Sequence, residues 1–273
     1  SGRDINIKSW KFESNFKFIN HNITIPIDLN VDKIWHLACP ASPQIYKKDP
    51  LETSKINFLG TYNMLEIAKK YNARILIASS SEIYGDPEIH PQIESYNGSV
   101  NNIGSRSCYV EGKRIAESLS FDFKRTFDCD VKVARIFNTY GPRMLKNDGR
   151  VIGNFIIQAL LNEPITINGN GEQTRSFCYV DDLIDGLFLL MDSNSCGPIN
   201  LGNPDEISIL ELANKICSKI NVPLRINWQR FSPDDPLKRK PEIDLAKKEL
   251  NWNPCISLDK GLEKTISYFK KII

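Results

Sequence analysis

Two short stretches of the sequence carry groups that could move a proton. Ser79-Ser80-Ser81-Glu82-Ile83-Tyr84-Gly85 follows Arg74-Ile75-Leu76-Ile77-Ala78, an apolar run that reads as a buried strand ending in hydroxyl side chains. Tyr109-Val110-Glu111-Gly112-Lys113 opens a segment of helical character shortly afterwards. Four residues apart, Tyr109 and Lys113 share one helical face. Hydroxyls, a carboxylate, a phenol and an ammonium therefore meet near the carboxyl end of one strand, the edge where open α/β sheets place ligands. A phenol of pKa near 10 is a poor base at neutral pH. An ammonium about 6 Å away, at an effective dielectric of about 20, contributes roughly 2.8 kcal/mol, or some two pKa units. That shift would bring the phenolate into range for taking a proton from a sugar hydroxyl. Taken alone, the Tyr-Lys pair reads first as a solvated helix face; its place after Ser79-Ser80-Ser81 turns the balance towards chemistry.

The elements that must hold these groups follow from periodicity. Phe16-Lys17-Phe18-Ile19 reads as a short strand, and Lys33-Ile34-Trp35-His36-Leu37-Ala38 as a more buried one. Beyond the proline-rich 39–43 stretch, a helix is expected from Pro50 to Tyr71, with Leu51, Ile56, Leu59, Leu65 and Ala68 as its apolar stripe. The strand at 74–80, a turn-rich loop to Gly104, a helix over 109–127 and a strand over 131–137 complete parallel βαβ units. This is the pattern of a doubly wound, Rossmann-type α/β sheet. From Gly141 the character changes. A helix over 151–162, strands at 165–167 and 175–180, a helix over 181–192 capped by Asp181, a capping box at Ser208-Ile209-Leu210-Glu211 and a last helix over 258–272 suggest a smaller C-terminal α/β substrate domain. The expected division is 1–150 and 151–273, with 181–192 packing back on the first part.

With 273 residues the chain is long enough for one large domain or two unequal ones. A net charge of +2, 41% hydrophobic and 25% charged residues give no reason to expect a nucleic-acid or membrane surface. No apolar run approaches the roughly 20 residues that span a bilayer. Seven scattered cysteines with no Cys-x-x-Cys pair argue against a disulfide framework or a zinc site and for a reducing, cytoplasmic setting. Three histidines far apart give no reason to expect a metal.

Longer motifs sharpen the reading. They are His36-Leu37-Ala38-Cys39-Pro40-Ala41-Ser42-Pro43, Ser80-Ser81-Glu82-Ile83-Tyr84-Gly85-Asp86-Pro87, Ala134-Arg135-Ile136-Phe137-Asn138-Thr139-Tyr140-Gly141-Pro142-Arg143 and Asp148-Gly149-Arg150-Val151. Further on come Gln173-Thr174-Arg175-Ser176-Phe177, Asn200-Leu201-Gly202-Asn203-Pro204 and Asp234-Asp235-Pro236-Leu237-Lys238-Arg239-Lys240-Pro241. In this order, over essentially the whole chain, they resemble the extended short-chain dehydrogenase/reductases, which act on nucleotide sugars with NAD. No Gly-x-x-Gly-x-x-Gly turn occurs in the chain, so the resemblance implies an N-terminally truncated Rossmann-type domain whose first strands and phosphate loop lie before Ser1.

The activity the resemblance implies is decarboxylation of UDP-glucuronate to UDP-xylose through a 4-keto sugar. Dehydrating relatives usually carry Asp-Glu where this chain has Ser81-Glu82. A serine cannot protonate a leaving hydroxyl at neutral pH, so dehydration is disfavoured. By the same resemblance Tyr109 is the base, Lys113 its electrostatic partner and ribose contact, and Glu82 with Ser81 positions the sugar. Arg239 faces the substrate carboxylate, where a planar donor fork fits, with a solvated charge cluster at 238–240 as the alternative. Leu37, Ala38, Ser42, Ser79 and Ile136 are expected along the NAD pocket with Tyr109 and Lys113. Lys55, Asn57, Asn138, Arg150, Asn154 and Arg175 are expected to contact the UDP-sugar. A homodimer through the 50–71 and 109–127 helices is also implied. The alternatives are another NAD-dependent nucleotide-sugar epimerase or 4,6-dehydratase, or an inactive nucleotide-sugar-binding chain.

Overall fold

The computed structural model describes residues 2–230 and 238–273, so residues 234–237 of the last motif lie outside the described residues. The first half is built on β1 (Lys33–His36), α1 (Pro43–Tyr46), α2 (Pro50–Lys55), α3 (Thr61–Tyr71), β2 (Arg74–Ser80), α4 (Ser107–Phe127) and β3 (Val131–Ile136). Pro50 fits the first turn of α2, where its missing N–H costs nothing, and the Asp49 side chain accepts from the Glu52 amide as an N-cap. Asn72 and Asp128 close α3 and α4 in the left-handed conformation. β1, β2 and β3 pair in parallel. Ile75, Leu76 and Ile77 are all buried, as a strand covered on both faces requires. Leu65, Ala68, Ala116 and Phe123 of α3 and α4 pack on one face of this sheet.

The second half contains β4 (Thr139–Tyr140), α5 (Val151–Leu160), β5 (Ile165–Asn168), β6 (Thr174–Ser176), β7 (Cys178–Tyr179), α6 (Val180–Asp192), β8 (Ile199–Leu201) and β9 (Glu206–Ser208). It continues with α7 (Ile209–Ile220), β10 (Ile226–Gln229), β11 (Lys238–Arg239), α8 (Asp244–Leu250) and α9 (Leu258–Lys270). β8 pairs with β3 and extends the first sheet, giving the order β1-β2-β3-β8. α6 covers that sheet's other face, where Leu183, Leu187 and Leu190 meet Leu76, Ala134 and Leu201. A second apolar core joins Ile156 of α5, Ile165 of β5, Leu212 and Ile216 of α7 and Phe269 of α9. The capping box at Ser208 and Glu211 is present in full. Among the described residues no helix is long and apolar enough to cross a membrane.

Several expected elements differ. Phe16–Ile19 is not a strand: Phe18 and Ile19 are exposed, and no neighbouring strand takes their ladder bonds. β1 stops at His36, leaving Leu37 half exposed just past its carboxyl end. The 50–71 helix contains a wide π-turn over Ile56–Gly60. Its buried side is Thr53, Asn57, Thr61, Leu65 and Ala68, while Leu51 and Leu59 of the expected stripe face solvent. The 175–180 strand is two pieces in different sheets, β6 beside β9 and β11, and β7 beside β4. α6 begins at Val180 with Tyr179 as its N-cap residue, not Asp181. Asp182, in its first turn, is buried and accepts from the backbone amides of Cys255 and Ile256.

Candidate active site

The carboxyl end of β2 runs into a single 3₁₀ turn, Ser81–Tyr84, capped by the Ser80 side chain, which accepts from the Glu82 amide at 3.2 Å. This turn presents Glu82 towards a cavity of about 280 Å³ lined by Glu82, Gly85, Ser99, Asn101, Arg106 and Arg239. Glu82 is clamped between two guanidiniums. Arg106 Nη2 lies at 2.8 Å, and Arg239 Nη1 donates to the same carboxylate oxygen. Burial alone would raise the Glu82 carboxyl, but Arg239 and Arg106 outweigh it and hold the group below the usual range, ionised. Arg239 is brought there by β11, in register with Arg175 of β6, so two buried guanidiniums lie side by side on one parallel ladder.

α4 carries Tyr109 and Lys113 into the same region, each nearly fully buried. The Tyr109 hydroxyl hydrogen-bonds the Ser80 side chain, and its ring stacks on that of Tyr46 from α1. Lys113 Nζ lies 5.8 Å from the Tyr109 ring centre and donates to the Ala78 carbonyl at 2.8 Å. The distance is the one the sequence suggests, but its electrostatic consequence is not. Burial pushes the Tyr109 phenol above its ordinary value; the bond to Ser80 works the other way, and Cys39 and Glu82 add to the rise. The expected two-unit drop does not occur in this structure, because desolvation in the closed pocket dominates. Burial likewise lowers the Lys113 ammonium. The resting phenol is neutral, paired with Ser80 and walled in by Tyr46.

Behind the site runs a buried polar network. Ser79 donates its hydroxyl to Glu117 of α4. Arg135 of β3 makes a two-pronged contact with that carboxylate at 3.1 and 2.8 Å and reaches the Tyr84 hydroxyl at 3.0 Å. Tyr84 in turn donates to Asn200 of β8 at 2.7 Å. Below Lys113, His36 Nε2 pairs with Thr61 Oγ1 at 3.1 Å, and burial keeps the imidazole neutral, its pKa lowered to about 3.

Glu82 and Arg239 thus line the cavity, with Arg175 beside Arg239 on the ladder, Ser81 buried in the turn next to Glu82, and Tyr109 and Lys113 buried on α4 against Ser80 and Ala78. The other expected residues are dispersed. Ser42 is buried and donates to the Asp148 carbonyl. Leu37 and Ala38 are exposed beyond β1, and Ile136 packs into the core under α6. Asn57 is buried against Gly112, donating to the Thr53 carbonyl at 2.9 Å. Lys55 is exposed on α2. Arg150 pairs with Asp148 at 3.3 Å with its side chain 42% exposed. Asn138 and Asn154 are half-buried. Two contributors were not singled out from sequence: Tyr46 and Arg106. Arg106 had a readable signal. A cation at a helix N-terminus opposes the macrodipole, so a basic residue just before α4 needs a carboxylate from elsewhere, and Glu82 supplies it.

Among the described residues no cluster of His, Cys, Asp or Glu is arranged to hold a metal. The side chains at the neighbouring sheet edge are of the types that one end of a dinucleotide would meet. Tyr109 and Lys113 place a hydroxyl and an ammonium at the carboxyl edge of β1 and β2, where Leu37 and Ala38 leave the surface open.

Comparison with known proteins agrees with this geometry. Residues 10–202 match the NAD dependent epimerase/dehydratase family. UDP-glucuronic acid decarboxylase 3 of Arabidopsis thaliana is 53% identical over 262 residues, covering 96% of this chain and 77% of that protein. UDP-glucuronic acid decarboxylase 1 of Xenopus tropicalis is 51% identical over 271 residues, covering 99% of this chain and 64% of the relative. Among solved structures, UDP-glucuronic acid 4-epimerase from Bacillus cereus in complex with UDP-glucuronic acid and NAD superimposes with a TM-score of 0.89 at 28% identity, over 99% of this chain and 86% of that one. The chain belongs to the NAD dependent epimerase/dehydratase family.

Proposed function

We propose that this family member is an NAD-dependent UDP-glucuronate decarboxylase, a carboxy-lyase that forms UDP-xylose through a 4-keto sugar. The observation that carries the reading is the buried Glu82–Arg239 contact beside Tyr109, with Ser81 where a dehydratase needs an acid. Tyr109 is neutral at rest, so it would take the proton of the sugar 4-hydroxyl only after giving up its own; the positive charge of Lys113 and of bound NAD would favour that phenolate, with Ser80 bonded to it. Lys113 holds positive charge beneath that ring and reaches for the cofactor ribose. NAD, when bound, supplies reversible hydride transfer at C4. With a ketone at C4 the carboxylate on C5 is β to a carbonyl, so carbon dioxide leaves with its bonding electrons drawn into the ketone. Arg239 holds the carboxylate in place, while Glu82 and Ser81 orient the sugar and steer the proton that C5 then takes up.

In this reading residues 1–150 carry the cofactor site and 151–273 the nucleotide-sugar site, with α6 tying them together. Arg150, Arg175, Asn138 and Asn154 line the path of the diphosphate and sugar, with Asn57 and Lys55 at its margin. Ser42, Leu37, Ala38, Ser79 and Ile136 border the cofactor. The working form is a cytoplasmic homodimer joined through α2, α3 and α4, whose outer faces expose Phe58, Leu59, Tyr62 and Ile115.

The test is incubation with NAD and UDP-glucuronate labelled in its carboxyl carbon. Labelled carbon dioxide and UDP-xylose are expected, with both lost in Arg239→Ala. Conversion to a UDP-hexuronate epimer with the label retained would instead make the chain an epimerase.

A further inference from the structure

We propose that Gln92, remote in sequence from Arg239, is the positioning residue for that guanidinium. β11 is only two residues long, and Pro241, one residue beyond it, has no N–H to extend a ladder. Beside the short pairing with β6, a second hold on the chain lies just past the guanidinium. Gln92 does this with both backbone and side chain. Its amide donates to the Lys240 carbonyl at 2.9 Å and its carbonyl accepts from the Glu242 amide at 2.9 Å, forming a one-residue parallel bridge across Pro241. Its side-chain oxygen accepts from the Lys240 amide at 2.9 Å, and its side-chain nitrogen donates to the Ile89 carbonyl at 2.9 Å. The residue is completely buried.

Gln92 is itself anchored. Its carbonyl also accepts from the Asn200 side chain at 2.9 Å, and Asn200 accepts from the Tyr84 hydroxyl. Tyr84 belongs to the turn that carries Glu82. The two halves of the Glu82–Arg239 pair thus hang from one hydrogen-bonded frame, in which the Gln92 side chain accepts from the backbone amide of Lys240, the residue next to Arg239, and Asn200 donates to the Glu242 carbonyl at 3.1 Å. Arg239 itself is held by the β6 ladder and by the Ser176 hydroxyl, which donates to its carbonyl at 3.4 Å; Gln92 holds the residue that follows. The Nη atoms of its fork reach Glu82 and the Gly85 carbonyl, while among the described residues its buried Nε has no hydrogen-bond partner, so the reach of the fork depends on where the main chain is held. Displacements on the order of 1 Å in such a group are enough to change rates by about a hundredfold.

This inference rests on the reading that Arg239 faces the substrate carboxylate, and its test separates the two. Gln92→Met keeps the side-chain volume and the backbone bridge but removes all the side-chain bonds, the longer one to His90 Nδ1 at 3.4 Å included; Gln92→Glu restores the acceptor towards Lys240; Gln92→Ala replaces Gln92→Met if the latter does not fold. Two quantities are read: the ¹⁵N resonance of Arg239 Nε, assigned by its disappearance in Arg239→Lys, and the affinities for UDP-glucuronate and for UDP-glucose, which lacks the carboxylate. In Gln92→Met the Arg239 resonance is expected to shift or broaden. UDP-glucuronate binding is expected to weaken about tenfold with UDP-glucose nearly unchanged, with partial recovery in Gln92→Glu. In an Arg239→Ala background the Gln92 substitution is expected to change neither affinity. An unchanged Arg239 resonance, or equal weakening of both ligands, would overturn the assignment. If Arg239→Ala itself leaves the two ligands equally well bound, the carboxylate reading fails, while the resonance still decides whether Gln92 sets the guanidinium.

Discussion

The rings of Tyr46 and Tyr109 lie face to face, their centres 5.0 Å apart and their planes within 4° of parallel. Both are almost completely buried, so the stack keeps water from the phenol proposed to act as the base. Opening it should bring the Tyr109 phenol down towards its ordinary value near 10. Ultraviolet titration of Tyr46→Ala should show one phenol ionising at lower pH than in the parent protein, and the change should vanish in Tyr46→Ala/Tyr109→Phe. Tyr109→Phe alone should reduce decarboxylation by about 10²–10⁴-fold while leaving UDP-glucuronate affinity nearly intact.

Glu82 pairs with two guanidiniums, the buried Arg239 and the half-buried Arg106. Glu82→Ala should therefore destabilise the fold by about 3–5 kcal/mol, well beyond an ordinary surface change. Because its folded pKa is depressed, the stabilisation is present above the unfolded carboxylate value near 4.5 and is lost as pH falls through the folded value. Urea unfolding of parent and variant at pH 7 and pH 4 should show the gap narrowing at the lower pH.

His36 gives acid sensitivity at a higher pH. Its pKa falls from 6.5 to about 3 on burial. The folded state favours the neutral ring, so this contribution is intact above pH 6.5 and drains away as pH drops towards 3, by about 1.4 kcal/mol per unit. Between pH 6.5 and 5 the loss should be about 2 kcal/mol. His36→Gln, which can still bond Thr61, should flatten that part of the stability profile.

The Arg135–Glu117 pair sits in the sheet-to-helix interface with each side chain only 10% exposed. Removing one partner, as in Arg135→Met, should cost about 3–5 kcal/mol. Changing both to apolar residues of similar size should recover most of that, as measured by a double-mutant cycle in denaturant.

How much of this was legible in the sequence depended on whether the cause was local. β2, β3, α4 and the capping box of α7 follow from periodicity and cap chemistry, and each is found within a few residues of its expected place. The pairing of Tyr109 with Lys113 follows from helical spacing alone. What could not be read is set by contacts between distant segments. The Tyr109 phenol depends on Tyr46, 63 positions earlier by residue number, and on the closure of the pocket, so a two-charge calculation gives the wrong sign. Phe16–Ile19 has strand-like composition but no partner strand. Gln92 looks like an ordinary loop residue until the Lys240 segment is placed beside it.

The π-turn at Ile56–Gly60 gives the helix before Tyr71 an unusual phase. Its inward residues Thr53, Asn57, Thr61 and Leu65 fall every four positions; on a regular helix each such step drifts by about 40°, and over three steps the row would spiral off the α4 surface. One oversized loop of backbone cancels that drift, which is why Asn57 can sit over Gly112 while Thr61 still meets His36. Excising a single residue there would make a more regular helix whose downstream half is wound out of step with its neighbours, so a length change of one residue at 56–60 is tolerated less well than many substitutions along the same segment.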